Sequence, residues 1–244
     1  MRLIFESSYK CNLKCSYCPG LRVTRPKGEM SDELFHHIIS EGKKNNIKQY
    51  SPYLYGDPFA FDRIYEWLDY MEEQGVKVNL STNGGLMDVD RVLKYKCLNG
   101  INCSDNGVDA YEKNIRKLLD NADFYVRISR VFLDTDIEKQ KAFKKKWGHR
   151  SKVSTYRAND YFDDPKQKEG VVRVPCYAFS KHTCILWDGR VSMCCLDYNG
   201  EVILGDITKQ SLAEIIKIAK PLRKRHMNLD FDMPLCKTCN ANVK

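Results

Sequence analysis

The chain has 244 residues, 30% of them charged, with a formal net charge of +8 and a mean hydropathy of −0.52; that length suits one large α/β domain or one domain with a small appendage. No apolar run nears the length of a membrane span, and Met1-Arg2-Leu3-Ile4-Phe5-Glu6 is too soon charged for a secretion signal, so a cytoplasmic location without a membrane partner is expected. Eleven cysteines in a reducing compartment favour metal binding over disulfides.

In chain order, the apolar patterning alternates strand and helix. Leu3-Ile4-Phe5 marks a first strand over about residues 2–6. Ser31-Asp32-Glu33-Leu34 reads as an N-cap followed by acids in the first turn, and Leu34, Ile38 and Ile39 carry a helix on to about residue 45. Further strands are expected over about 49–53, 76–80, 101–104, 124–132 and 152–157, with helices over about 61–74, 88–95, 109–121 and 135–147. Six strands alternating with helices argue a parallel sheet, on a length shorter than the roughly 250 residues of a complete eightfold barrel. The fold class expected is α/β, with a partial (β/α)6 TIM-like barrel over residues 1–157. From about residue 158 the alternation stops, and residues 158–244 read as a small second domain in which Ile185–Met193 forms a β-hairpin around an Asp188-Gly189 turn. The cation runs at 43–44, 144–146 and 223–225 are separate and lie near helix ends, where they commonly face solvent. None is interleaved with aromatics, which argues against a nucleic-acid partner.

Cys11-Asn12-Leu13-Lys14-Cys15-Ser16-Tyr17-Cys18 follows the first strand, at the strand end where α/β sites sit. Three thiolates can hold three irons of a 4Fe–4S cube and leave the fourth open. A zinc site would ask for a fourth Cys or His at compact spacing, and His36 and His37 fall on a predicted helix.

This motif resembles that of the radical S-adenosylmethionine enzymes: three cysteines at these two spacings, with an aromatic residue, here Tyr17, before the last. The resemblance implies that Cys11, Cys15 and Cys18 hold a 4Fe–4S cluster whose open iron chelates the amino and carboxylate groups of S-adenosylmethionine. One electron, from a donor such as flavodoxin or ferredoxin, then gives a 5′-deoxyadenosyl radical. The family carries a Gly-Gly-Glu-Pro motif after the second strand that holds the cofactor's amino group. Tyr55-Gly56-Asp57-Pro58 stands there in this chain, with Tyr55 for the first glycine and the shorter Asp57 for glutamate; read by itself it is a turn. Ser81, Thr82 and Asn83, before Gly84 at the third strand's end, match the family's place for ribose or carboxylate contacts and also read as a turn and helix cap. Ser104 opens a weaker copy of that pattern after the fourth strand. Ser129 and Arg130 of the fifth strand are candidates for the cofactor carboxylate, Arg130 as its charge partner.

A second group of thiols lies in the C-terminal region. Cys176, Gly189 and Cys194, followed by Cys236-Lys237-Thr238-Cys239, have spacings that resemble the SPASM accessory domain, and the likeness extends over 204–207 and 211–216. With Lys244 closing the sequence soon after Cys239, the resemblance implies the short, one-cluster twitch form, in which these four cysteines close a second 4Fe–4S cluster. Taken alone, four such cysteines also suit a structural zinc site. Cys195 neighbours Cys194 as a competing ligand, although strand alternation turns it to the opposite side. Cys97, Cys103 and Cys184 read as small core residues.

Within the family, the architecture is similar to that of aminocyclitol alcohol oxidases with one twitch cluster. The implied reaction is a two-electron oxidation of an alcohol on a small polar, cyclitol- or sugar-like molecule. Hydrogen leaves the carbinol carbon, a base takes the hydroxyl proton, and the second cluster accepts the second electron. Arg157, ending the sixth strand, and Asp197, just past the cysteine pair, are the candidate substrate contacts. Peptide epimerisation or thioether formation with a separate recognition partner is the alternative within the family. A non-catalytic iron–sulfur or zinc-binding module is the alternative outside it.

Overall fold

The computed structural model describes residues 1–132, 137–148, 152–157, 173–237 and 239. In chain order its elements are β1 (Arg2–Phe5), α1 (Asp32–Lys44), β2 (Gln49–Ser51), α2 (Ile64–Glu73), β3 (Lys77–Thr82), α3 (Val89–Val92), β4 (Leu98–Ser104), α4 (Asp109–Asn121), β5 (Tyr125–Phe132), α5 (Ile137–Trp147), β6 (Lys152–Arg157), α6 (Tyr177–Lys181), β7 (His182–Ile185), β8 (Arg190–Ser192), β9 (Ile203–Asp206) and α7 (Leu212–Met227). They fall into two compact units: residues 7–14 with 49–158, and residues 1–6 with 15–48 and 159–244. Among the described residues no helix is long and apolar enough to cross a membrane.

In the first of these units, β2 to β6 pair in sequence order and all in parallel. Parallel pairing requires a crossover between strands, which α2 to α5 supply. α2 packs on β3 through a face whose Trp67, Leu68 and Met71 are buried, as are Val78 and Leu80 of the strand. β2 ends at Ser51, short of the expected residue 53, because Pro52 has no N–H to donate to a ladder. α2 begins at Ile64 and not at 61. The preceding Pro58–Ala60 form a 3-10 turn capped by Asp57, and Phe61 packs edge-on to Trp67 at 4.7 Å. Cys97 and Cys103 are core residues, 4% and 0% exposed, and burial pushes both thiols up to about 12.

In the other unit, β1 pairs in parallel with β7, and β7, β8 and β9 continue antiparallel. The expected hairpin is β7 to β8: the Leu186 N–H donates to Arg190 O at 2.8 Å, and Gly189 takes a φ of +91° that a side chain would disfavour. Ser31 caps α1 as expected, its hydroxyl accepting the Leu34 N–H at 3.2 Å. Ser211 and Glu214 form a capping box at the start of α7. Glu41 of α1 accepts the Leu212 N–H at 2.9 Å, so the two helices share one carboxylate. Glu6, just past β1, is fully buried, and its two carboxylate oxygens accept from Arg25 at 2.8 and 2.7 Å and from the Trp187 N–H at 3.2 Å.

Candidate functional site

Segment 7–14, which carries Cys11, is held against two strand-end loops. A Cβ placed on Gly56 would come within 2.4 Å of Ser8 O and 2.6 Å of Lys10 O, so only glycine permits the approach. The neighbouring Asp57 N–H donates to Lys10 O at 2.8 Å. The Asp57 carboxylate, 5% exposed, accepts from the Phe59 N–H at 3.0 Å, the Thr82 hydroxyl at 2.9 Å and the Asn83 N–H at 2.7 Å. Its oxygens, expected toward the cofactor's amino group, are taken by these donors. Burial raises the Asp57 pKa, against the pull of the same donors. Asn83 passes the brace on: its Nδ2 donates to Asn12 Oδ1 at 2.8 Å and approaches Cys11 Sγ at 3.9 Å, while its Oδ1 accepts the Gly85 N–H at 2.8 Å. Asn12 in turn donates to the Tyr111 hydroxyl at 2.9 Å.

The remaining candidates near the strand ends divide by what engages them. Thr82 is buried and accepts the Gly84 N–H at 2.9 Å, which makes the expected turn. Ser81 accepts from Asn102 at 3.0 Å, and Asn102 accepts from Arg127 at 3.1 Å, a polar row across β3, β4 and β5. Ser104 and Ser129 are in register on β4 and β5. Arg130 is half-buried with its guanidinium 5.5 Å from the Phe132 ring centre. Cys11 is exposed, its sulfur accepting the Leu13 N–H at 3.4 Å. Cys15 and Cys18 are half-buried, with the Cys18 N–H on Cys15 O at 2.9 Å and burial raising the Cys18 thiol. Tyr17 is half-buried and Pro58 buried. Arg157 ends β6 in register with Phe132.

The second group of thiols converges. Cys176, Cys194, Cys236 and Cys239 all line one open cavity of about 500 Å³, walled mainly by apolar side chains. They come from three places: the N-cap of α6 (Cys176), the second residue past β8 (Cys194), and a C-terminal turn in which the Cys239 N–H donates to Cys236 O at 3.3 Å. Burial pushes Cys194 well up and Cys236 to about 11, with Cys239 and Cys176 as further raising neighbours of Cys236. Cys195 also touches the cavity, but its sulfur accepts a hydrogen bond from the buried Cys184 thiol, which lowers Cys195 and raises Cys184. Among the described residues no three His, Cys, Asp or Glu side chains close on a single-ion site; ligands of a cube hold separate irons. Asp197, expected toward substrate hydroxyls, is instead 2% exposed and accepts the Glu201 and Val202 N–H groups at 2.8 and 3.0 Å. It closes the turn after Cys194.

Three residues of these sites carry no sequence signal: Asn12, which joins two loops, and Arg173 and His226, which line the thiol cavity. Their partners lie far along the chain, where spacing rules do not reach.

Residues 5–138 match the radical SAM superfamily, and residues 176–240 match the SPASM iron–sulfur cluster-binding domain. The chain belongs to the radical SAM superfamily. It is similar to a Pyrococcus furiosus protein described as a tungsten-containing aldehyde ferredoxin oxidoreductase cofactor-modifying protein, with 24% identity over 174 residues, 71% of this chain and 46% of that one. The matched stretch spans less than half the length of the curated relatives. Among solved structures it is similar to BtrN in complex with AdoMet and 2-DOIA, with a TM-score of 0.62 and 17% identity over 98% of this chain and 92% of that one. It is also similar to anSMEcpe with bound AdoMet, with a TM-score of 0.74 and 14% identity over 99% of this chain and 89% of that one; anSMEcpe has also been solved with a peptide, Kp18Cys. These likenesses show the fold, an α/β partial (β/α)6 barrel followed by a small region of antiparallel strands.

Membership sets the cofactors: a 4Fe–4S cluster and S-adenosylmethionine, with a further iron–sulfur cluster in the SPASM region. The residues fit these groups. Four thiols line one cavity, the donor set a closed cluster needs. Cys11 keeps an exposed sulfur in a loop braced from two sides, and Arg130 has no carboxylate partner among the described residues.

Proposed function

We propose that the chain oxidises an alcohol carbon of a small polar molecule, with a core over residues 1–157 and an auxiliary domain over 158–244. When bound, the first cluster and S-adenosylmethionine supply a 5′-deoxyadenosyl radical, and the second cluster supplies an electron sink. Cys11, Cys15 and Cys18 hold the first cluster, and Tyr17 packs beside it. Gly56 and Pro58 shape the loop beneath the cofactor, while Asp57 holds Thr82 and Asn83 in place. Ser81, Ser104 and Ser129 offer hydroxyls to it. Arg130 meets its carboxylate, because a half-buried cation there is the natural counter-charge. Cys176, Cys194, Cys236 and Cys239 hold the second cluster, with Cys195 set aside by its bond to Cys184. Arg157 orients the substrate at the end of β6. A donor such as flavodoxin or ferredoxin supplies the electron.

The observation that carries this reading is the set of four thiols on one cavity. With every iron capped by protein, that cluster has no place for substrate and is left with electron transfer. The two-way coverage against BtrN supports it. Peptide modification is the second reading, favoured by the higher TM-score to anSMEcpe, a protein also solved with bound peptide.

The test is anaerobic reconstitution, followed by incubation with dithionite, S-adenosylmethionine and aminocyclitols deuterated at each carbinol carbon. Deuterium appearing in 5′-deoxyadenosine together with an equivalent of ketone supports the alcohol reading. Deuterium transfer from α-deuterated peptides alone would replace it with the second reading.

A further inference from the structure

The thiol cavity is braced by two side chains that the cluster reading leaves without a role. His226 of α7 is 4% exposed, and its Nε2 accepts the Cys176 N–H at 2.8 Å. That bond leaves the ring proton on Nδ1, which is buried with no hydrogen-bond partner. The His226 ring stands edge-on to Phe179 at 5.0 Å and to Phe231 at 4.8 Å. Arg173 lies over that same Phe231 ring, 4.3 Å from its centre. Its guanidinium donates to the carbonyl of Cys236, to Cys239 O at 3.3 Å and to Lys237 O at 3.4 Å. A stack of Phe179, His226, Phe231 and Arg173 therefore runs from the Cys176 loop to the Cys236–Cys239 turn, and its two polar members line the cavity.

Two effects follow. Bringing thiols together from distant parts of a chain costs loop entropy, and a brace that holds both ends at backbone atoms removes that cost before any metal arrives. A cation fixed beside a cluster stabilises its reduced, more negative state through low-dielectric surroundings. The guanidinium holds three carbonyl oxygens of the ligand turn, so its charge lies next to two of the four candidate ligands.

We propose that Arg173 and His226 are positioning residues for the auxiliary cluster: His226 fixes Cys176, Arg173 fixes the Cys236–Cys239 turn, and the Arg173 charge raises the cluster's reduction potential. This rests on the reading of the four cysteines as cluster ligands. It makes the auxiliary cluster a better electron acceptor than four thiolates alone would give.

The test uses the full chain with Cys11, Cys15 and Cys18 changed to alanine, so that all remaining iron belongs to the auxiliary site, about four per chain for one cube. In that background Arg173→Gln shifts the midpoint potential to more negative values. Arg173→Lys, which keeps the charge and loses the fork, holds the potential near its starting value but sheds iron to a chelator faster. His226→Leu sheds iron roughly fivefold faster, the rate equivalent of one lost hydrogen bond, and alters the electron paramagnetic resonance signal of the reduced cluster. His226→Gln, which restores an acceptor near the Nε2 position, recovers both. Four irons in the background with potential, signal and iron loss unchanged in Arg173→Gln and His226→Leu would overturn the positioning role and leave the cluster reading standing. A background protein that binds zinc or no iron would overturn both.

Discussion

Around Cys11 the loops are joined by side-chain amides and one buried carboxylate, whereas around Cys176 and Cys236 they are joined by aromatic rings and bonds to backbone atoms. The thiols differ accordingly. Cys11 is exposed and meets N–H donors, while Cys236 is buried and its thiol is driven upward. A polar brace leaves hydrogen-bonding groups near a ligand that must enter and leave, as S-adenosylmethionine does. An apolar, ring-lined cavity suits a group that stays and passes electrons. The difference in wall chemistry runs parallel to the difference in ligand number, three cysteines in the first motif and four on the second cavity.

The largest expected effect separates the two regions outright. Changing Cys11, Cys15 and Cys18 to alanine should abolish 5′-deoxyadenosine formation while iron falls from about eight to about four per chain, measured by product chromatography and iron assay. Complete loss of iron would mean that the second region cannot keep a cluster alone, and the contrast in wall chemistry would have no functional meaning.

Asp57 sharpens the comparison next. Asp57→Ala strands the Phe59 and Asn83 N–H groups and the Thr82 hydroxyl, at about 1–3 kcal/mol for each buried group left unpaired. Denaturant unfolding should report that loss, and the KM for S-adenosylmethionine should rise, roughly tenfold for each 1.4 kcal/mol of cofactor binding given up. Asp197→Ala is the matched control: it also strands two N–H groups and should lower stability, with the KM for S-adenosylmethionine in uncoupled cleavage unchanged. Equal KM changes in the two variants would show that Asp57 has no special tie to the first site.

These aspartates also mark what the sequence could carry. The Gly56-Asp57-Pro58 turn after β2 is readable from local spacing, because strand ends and turns are short-range properties. The direction of the Asp57 carboxylate depends on an N–H group brought from elsewhere in the chain, that of Asn83, while Asp197 turns back on the nearby Glu201 and Val202 N–H groups. Residue type gives no hint of that. β2 falls short of its apolar pattern at Pro52 for a reason that is local and readable. Arg173 and His226 lie at the other extreme: their partners are 63 and 50 residues away, and a lone arginine or a helical histidine has no pattern to find. The spacing of the cysteines is written along the chain, and strand alternation already sets Cys195 apart from Cys194; the Cys184 thiol that Cys195 accepts from is seen only in the structure.

The smallest effect tests how dry the auxiliary unit is away from its cavity. His182 opens β7, and its Nδ1 is buried with no hydrogen-bond partner. Burial, with Arg2, the N-terminus and Arg223 as positive neighbours, lowers its pKa to about 4 from an ordinary 6.5. Below pH 6.5 the unfolded chain takes up a proton that the folded chain refuses until about pH 4. Stability from this group is therefore fully present above pH 6.5 and is lost as pH falls through that window. His182→Asn should flatten the acid limb of a denaturation-midpoint curve between those two values and leave the midpoint near neutrality little changed. An unaltered limb would mean that water reaches His182 freely, and the auxiliary unit would then owe its apolar character to the ring-lined cavity alone.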